Sequence, residues 1–501
     1  MFVGLAHGLA SALQPMNLVA ALVGVILGTL VGVLPGMTPT ATIAVLLTFT
    51  ARLNTEPAFI MLAGIYFGAQ YGNSITAILL NIPSEPQSVV IARHGFRLTQ
   101  RGRAGAALSC AAIGSFVGVI VGLVGLSLVA PALSRLAEAF GPPEFFAVTA
   151  AGLVAIVIVM NKGGPAGILS VCLGLALSTV GVDPVESVNR FTFGIPGLLA
   201  GMQLVPIAVG LFGMAELLDR YVRNQRVASM VQVGSFSELR PTASELKATA
   251  WSGLRGGIMG FLLGSIPGPS ILMGVFGSYA AEERLAMRKY GTEELEKGQI
   301  ELVAGPKAAD DAAASGSLVP LLTLGLPFTP VTAMLFAALL LHNITPGPLF
   351  IADNPSIFWG LVAAMGIGNI VLLILNFPLV GVWIRLLRIP EKYRFAILML
   401  VMMLGVYALR YSFFDLWVLC IAGVLGTILH RVGFDRLLIV LGLIIGTPME
   451  QSLRQSLLLS KGNPMVFVTQ PVSLGIFLAL AAFIVAWRVL RRKSPSGAHS
   501  M

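Results

Sequence analysis

Apolar residues run in long blocks along this chain, among them Met16–Leu34, Ala104–Leu133, Leu361–Leu387 and Val472–Leu490. A helix needs roughly 20 mainly apolar residues to cross the ~30 Å hydrocarbon core of a bilayer, and several of these blocks reach that length. The charged faces that would keep such helices in water are absent. The pattern predicts an all-α, polytopic integral membrane protein. Its 501 residues leave room for about 10–14 spans joined by short turns.

Four of the apolar stretches are interrupted by Gly and Pro. The breaks are Gly32-Val33-Leu34-Pro35-Gly36-Met37-Thr38-Pro39, Asn81-Ile82-Pro83-Ser84-Glu85-Pro86, Gly264-Ser265-Ile266-Pro267-Gly268-Pro269 and Gly325-Leu326-Pro327-Phe328-Thr329-Pro330. Gly32, Pro35 and Gly36 match Gly264, Pro267 and Gly268 at a shift of 232, whereas Gly72, Pro83 and Pro86 match Gly316, Pro327 and Pro330 at a shift of 244. This predicts an internal repeat with broken or re-entrant helices in both halves. The expected organisation is a first repeat unit over 1–218, a cytoplasmic loop over 219–250, the second unit's core over 251–394 and C-terminal helices over 395–501.

The placement of charge orients these elements. Arg93, Arg97, Arg101 and Arg103 form one basic cluster without an acid. Arg220 to Arg255, Arg385 to Arg394 and Arg488 to Lys493 bound three more. Short basic loops stay on the cytoplasmic side. Counting crossings from them puts the C-terminus inside. It also makes Trp251–Ala280 enter and leave by one face, and turns the two units into inverted-topology repeats. The long polar stretches Asp219–Thr249 and Ala281–Asp311 read as loops. A net charge of +9, distributed in this way, fits anionic lipid headgroups and gives no reason to expect nucleic acid.

Freed backbone groups survive at membrane depth only when buried in protein or facing a watery cavity, so each break is a candidate site. Half-helix N-termini suit anions, and unwound carbonyls suit Na⁺. The candidate substrate-binding residues are Pro35, Gly36, Thr38, Thr40, Asn73, Ser74, Thr76, Asn81, Pro83, Pro267, Gly268, Ser270, Ser315, Ser317, Pro327 and Thr329. Small polar residues also simply hold helices together in membranes. Asp310 and Asp311, with Thr323 and Thr332, are the candidates for cation coupling. An acid within a membrane segment marks a functional site by default, while Asp also favours the start of an interfacial helix.

Composition adds exclusions. Charged residues are only 11% of the chain and hydrophobic ones 56%, with a mean hydropathy of +0.88. Cys110, Cys172 and Cys420 lie in apolar runs, and the five His show no metal-ligand spacing. Neither a Walker A sequence nor a Gly-x-Ser-x-Gly elbow in a strand–helix setting is present. No enzyme activity and no cofactor are expected. A transporter fits best; a membrane scaffold or a channel is the alternative.

The motifs themselves resemble a known family. Gly32-Val33-Leu34-Pro35-Gly36, the run from Ala63 through Gly72 to Pro83, and Arg101-Gly102-Arg103-Ala104-Gly105-Ala106-Ala107-Leu108 are similar to the large membrane subunit of the tripartite tricarboxylate transporters, the TctA family. So are Phe193-Gly194-Ile195-Pro196-Gly197-Leu198, Gly210-Leu211-Phe212-Gly213, Val303-Ala304-Gly305-Pro306 and the run from Leu318 to Pro327. The likeness covers roughly residues 17 to 350 and fades in the C-terminal third. It implies a secondary transporter subunit that imports citrate-like di- and tricarboxylates across the bacterial inner membrane. It further implies a small TctB-like membrane partner, a periplasmic TctC-like binding protein that delivers substrate, and an ion gradient with Na⁺ as coupling ion. Asp310-Asp311 stands where the family often has two Asn, which leaves the particular carboxylate and the coupling ion open.

Overall fold

Apolar segments fold as helices in hydrocarbon because a helix satisfies every backbone N–H and C=O within itself. The computed structural model describes residues 2–34, 37–83, 85–137, 140–160, 165–183, 186–223, 241–266, 270–290, 300–386 and 391–493. It is 82% helical. In chain order come α1 (Phe2–Ala12), α2 (Pro15–Gly32), α3 (Pro39–Thr50), α4 (Thr55–Leu80), α5 (Ser88–Gln100), α6 (Ala104–Ala137) and α7 (Pro142–Met160). Then follow α8 (Ala166–Ser178), the short strands β1 (Gly181–Val182) and β2 (Asn189–Arg190), α9 (Leu204–Ala208), α10 (Ala215–Arg223), α11 (Ala243–Gly264) and α12 (Ser270–Tyr290). The chain continues with α13 (Glu301–Leu324), α14 (Pro330–Leu341), α15 (Phe350–Asp353), α16 (Pro355–Leu386) and α17 (Glu391–Arg410). It ends with α18 (Phe413–Arg431), α19 (Arg436–Leu459), α20 (Val466–Thr469) and α21 (Pro471–Lys493).

Among the described residues, five helical segments are long and apolar enough to cross a membrane: Pro15–Gly32, Ala104–Arg135, Pro355–Leu375, Phe413–Arg431 and Arg436–Leu459. Six shorter apolar helices accompany them. Hydropathy does not pick out α4 or α13, because they pack against protein. Every residue of α13 from Glu301 to Thr323 is buried, as is nearly all of α4.

The chain forms two compact units, each built from two separated segments. The first comprises Met1–Ser134 and Val205–Ile428. Its core holds two tight helix pairs, α2 with α4 and α11 with α13. Both approach through glycine. Gly24, Gly28 and Gly32 of α2 lie against the backbone at Met61, Ile65 and Ala69 of α4, and Gly256, Gly260 and Gly264 of α11 lie against Gly305, Ala309 and Ala313 of α13. Each α11 glycine is 232 positions beyond its α2 counterpart, and each α13 partner 244 beyond its α4 counterpart. The helix ends agree as well: α4 stops at Asn81 (φ 54°) and α13 at Gly325 (φ 69°), both left-handed caps 244 positions apart.

The second unit comprises Arg135–Leu204 and Leu429–Met501. Here α8 packs on α19, with Gly442 of α19 against the backbone of Val171 and Gly174. The β1–β2 hairpin is tied to α19 by ion pairs. Arg190 meets Glu450 at 2.9 Å, and Arg454 meets Asp183 at 3.1 Å and Glu450 at 2.8 Å.

Several segments read as polar loops are helical. α10 runs on through Arg223, α11 begins at Ala243, and α12 and α13 cover most of Ala281–Asp311. Glu, Lys, Arg and Ala are good helix formers whatever their polarity. Thr242 and Glu245 close a capping box that starts α11. The basic cluster at Arg93 and Arg97 likewise lies on a helix, α5, whose Val90, Ile91, His94 and Leu98 are buried.

Candidate functional site

All four Gly/Pro breaks fall between helices, at the junctions α2/α3, α4/α5, α11/α12 and α13/α14. Pro35, Gly36, Pro267 and Gly268 lie outside the described residues. At the first break Thr38 caps α3, its hydroxyl accepting from the Ala41 amide at 3.1 Å and donating to Glu216 Oε2 at 2.8 Å. Glu216 is carried there by a π-helical turn, Val209–Met214, between α9 and α10. Such turns are rare and frequently sit at functional sites. Thr40 is buried just beyond.

On α4, Asn73, Ser74 and Thr76 are all buried. Ser74 donates to the Gln70 carbonyl at 3.3 Å, and Thr76 to that of Asn73 at 2.9 Å. Asn81 is the exposed left-handed cap, and Pro83 follows, partly buried. Ser270 opens α12 fully buried, its hydroxyl without a hydrogen-bond partner among the described residues. On α13, Ser315 donates to the Asp311 carbonyl (3.2 Å), Ser317 to Ala314 (2.7 Å) and Thr323 to Val319 (2.7 Å). Pro327 is buried in the fourth break. Beyond it, Thr329 and Thr332 form a reciprocal cap on α14, with amide-to-hydroxyl distances of 2.9 and 3.1 Å. Thr329→Ala should therefore destabilise the protein by about 1 kcal/mol, the usual worth of such a cap. The measurement is the shift in thermal unfolding of the purified chain.

Asp310 and Asp311 do not open a helix, since α13 starts at Glu301 and places them in its middle. Both are buried, and the wholly buried Lys307 lies one turn back. Its ammonium donates to Asp310 Oδ2 at 3.1 Å and to Asp311 Oδ1 at 3.0 Å, and reaches the Gln70 carbonyl of α4 at 3.4 Å. Gln70 Nε2 faces the Asp310 carbonyl, also at 3.4 Å. Asp310 Oδ1, Asp311 Oδ2, Gln70 Oε1 and the Tyr66 hydroxyl are buried with no hydrogen-bond partner among the described residues. Unsatisfied polar atoms are costly in a dry interior, more so on charged groups.

Lys307, Tyr66, Gln70 and Glu216 are the residues that sequence reasoning missed. Lys307 was detectable: lysine at i with acids at i+3 and i+4 is a helical ion-pair spacing. Tyr66, Gln70 and Glu216 carry no such local signal.

With both acids ionised, the cluster carries one net negative charge. Glu85 of the second break and Glu216 lie within electrostatic reach of one another, and Glu85 also senses Asp310 and Lys307. Such a neighbourhood attracts a cation and repels a carboxylate. The anion-compatible groups are the N-termini of α12 and α14, and that of α3 only when Glu216, which accepts from Thr38, is protonated.

The sequence matches the model of the "Tripartite tricarboxylate transporter TctA family" over residues 18–441, so the likeness extends well past residue 350 into helices whose hydrophobicity alone is uninformative. It is 41% identical over 485 residues to the "Uncharacterized 52.8 kDa protein in TAR-I ttuC' 3'region" of Agrobacterium vitis, covering 96% of this chain and 95% of that one. It is also 40% identical over 228 residues to the "Uncharacterized protein in TAR-II ttuC' 3'region" of the same organism, covering 45% of this chain and 93% of that one. No solved structure matches the chain. The helical architecture, the apolar spans and the family match agree: the chain belongs to the tripartite tricarboxylate transporter TctA family and is a multi-pass membrane subunit of a transporter.

Proposed function

We propose that this subunit imports di- or tricarboxylates by secondary active transport, coupling their entry to a cation gradient through Lys307, Asp310 and Asp311. The observation that carries this reading is the charge cluster itself, buried mid-helix with free carboxylate oxygens beside a broken-helix core. Ionisable groups are costly in a membrane and concentrate on ion and proton pathways. Family likeness favours Na⁺ as the coupling ion, and one bound Na⁺ or proton would neutralise the cluster. Thr323, whose hydroxyl donates within its own turn, retains lone pairs for a cation, whereas Thr332 also accepts from Thr329 and would have to loosen the α14 cap to bind one. Substrate carboxylates would sit at the breaks, against Thr38 and Thr40 on α3, Ser270 on α12 and Thr329 on α14. Asn73, Ser74, Thr76, Ser315 and Ser317 would line the helices between them.

The matched glycine registers of α2/α4 and α11/α13 support an internal repeat, and the placement of the basic clusters supports its inverted topology about a pseudo-two-fold axis. The contact of Gln70 with Asp310 fits that relation, because Asp310 is the 244-shifted counterpart of Tyr66, one turn from Gln70. The protein would lie in the bacterial inner membrane with its C-terminus in the cytoplasm. It would work with a small membrane subunit and take substrate from a periplasmic binding protein.

The test is uptake of labelled di- and tricarboxylates into proteoliposomes holding the chain and both partners, under an imposed Na⁺ or pH gradient. Saturable uptake that collapses without the gradient supports the reading, and the effective gradient identifies the ion. Gradient-independent, non-saturating flux would instead mark a channel.

A further inference from the structure

A second site lies away from the charge cluster, where the first half of α11 passes the last turns of α12. The two helices form an antiparallel pair, and between them opens a cavity of about 490 Å³. Lys247, Arg255, Arg288 and Lys289 line it, together with the acids Glu282 and Glu301. Among the described lining residues, four bases against two acids leave two positive charges. Arg255 is not a loose surface side chain: Glu282, itself buried, holds its guanidinium by two hydrogen bonds of 2.8 and 2.7 Å. Glu301 lies 3.6 Å from Lys289. The excess charge thus falls on Lys247 and Arg288, both exposed at the cavity wall.

What distinguishes this basic cavity is the surface that leads away from it. Trp251, also in its lining, is 56% exposed, and from it an apolar stripe climbs α11 through Leu254, Ile258 and Leu262. These positions recur every three to four residues and so share one helical face. On the neighbouring helix Met273 and Phe276 are exposed at the corresponding height. From Trp251 to Leu262 the helix rises ~16 Å, which is about half of the ~30 Å hydrocarbon core. A charged cradle, an aromatic ring at its rim and one leaflet's depth of exposed hydrocarbon match the three parts of a lipid molecule. Tryptophan favours the headgroup level, where one edge meets hydrocarbon and the other meets water.

We propose that this cavity binds the headgroup of an anionic glycerophospholipid, with an acyl chain lying along Trp251, Ile258 and Leu262. The phosphate would be held by Lys247 and Arg288, with Arg255 already fixed in the wall. Basic pockets between membrane helices are suited to this chemistry. The occupied hairpin is the one that ends at the third break, so a bound lipid would brace α11 and α12 during transport.

The test uses the full chain purified in detergent, stripped of lipid, and offered phosphatidylglycerol, phosphatidylcholine of the same chain length, or inorganic phosphate. Native mass spectrometry counts retained lipid, and thermal unfolding reports stabilisation. Phosphatidylglycerol should be retained at least tenfold better than phosphatidylcholine and should raise the unfolding temperature by several degrees. Lys247→Gln with Arg288→Gln should erase that preference while unliganded stability stays unchanged, since both residues are exposed. Trp251→Ala should weaken lipid retention. Equal retention of the two lipids, or a preference that survives the double variant, overturns the proposal. Stabilisation by inorganic phosphate equal to that by phosphatidylglycerol overturns the lipid assignment, leaving a free-anion site. None of these readouts requires transport, so the coupling scheme can fail independently.

Discussion

Lys307→Met is expected to be the most damaging single substitution in the chain, destabilising it by about 3–5 kcal/mol and reducing uptake to background. The mutation removes no helix and leaves a side chain of similar length. What it removes is the ammonium that both Asp310 and Asp311 contact at about 3 Å in a fully buried setting. Two like charges would then share a site from which water is excluded, and one must take up a proton or the region must open. A companion substitution separates the two consequences. Asp311→Asn leaves Lys307 paired with Asp310 as a neutral couple, so folding should be nearly retained while the ion dependence of uptake is lost. Thermal unfolding and gradient-driven uptake, measured on both variants, check these expectations. If Lys307→Met transported normally, the cluster would have no part in coupling.

The contrast between what was legible in the sequence and what was not follows the same physics. Membrane character was legible because lipid-facing helices must be apolar, as Ala104–Arg135 and Pro355–Leu375 are. The breaks were legible because Pro and Gly act locally on backbone hydrogen bonding, and all four fall where helices end. Helices buried in protein are freed from the hydropathy rule, so α13 could carry Lys307, Asp310 and Asp311 through its middle and look, in sequence, like the edge of a loop. Polarity misled in the same direction for α5, α11 and α12, whose charged turns remain helical. The site was half legible. Its acids stood out, but Gln70 and Tyr66 reach them from α4, some 240 residues away in sequence. Nothing local to Gln70 predicts that pairing; only the packing of two helix pairs does.

That packing yields the second large effect. Gly72→Val and Gly316→Val should each destabilise the protein by about 3 kcal/mol or more, the upper end of overpacking. A Cβ at Gly72 would meet the Thr29 carbonyl oxygen and the Val33 amide nitrogen of the partner helix at 2.7 Å each. One at Gly316 would meet the Phe261 carbonyl oxygen at 2.7 Å and the Ser265 nitrogen at 3.1 Å. Backbone atoms cannot rotate aside as a side chain can, so the helices must separate and the contacts along the whole pair weaken. Gly475→Ala, on α21 with nothing within 4 Å of an added Cβ, should instead be neutral or stabilise by up to about 1 kcal/mol through helix propensity. The informative comparison is between the two valine variants. Phe261 and Ser265 are Thr29 and Val33 displaced by 232, just as Gly316 is Gly72 displaced by 244. If the halves are one unit used twice, thermal unfolding should shift by similar amounts for both. If one variant is tolerated while the other unfolds, the shared register is a likeness of sequence without equivalence of load.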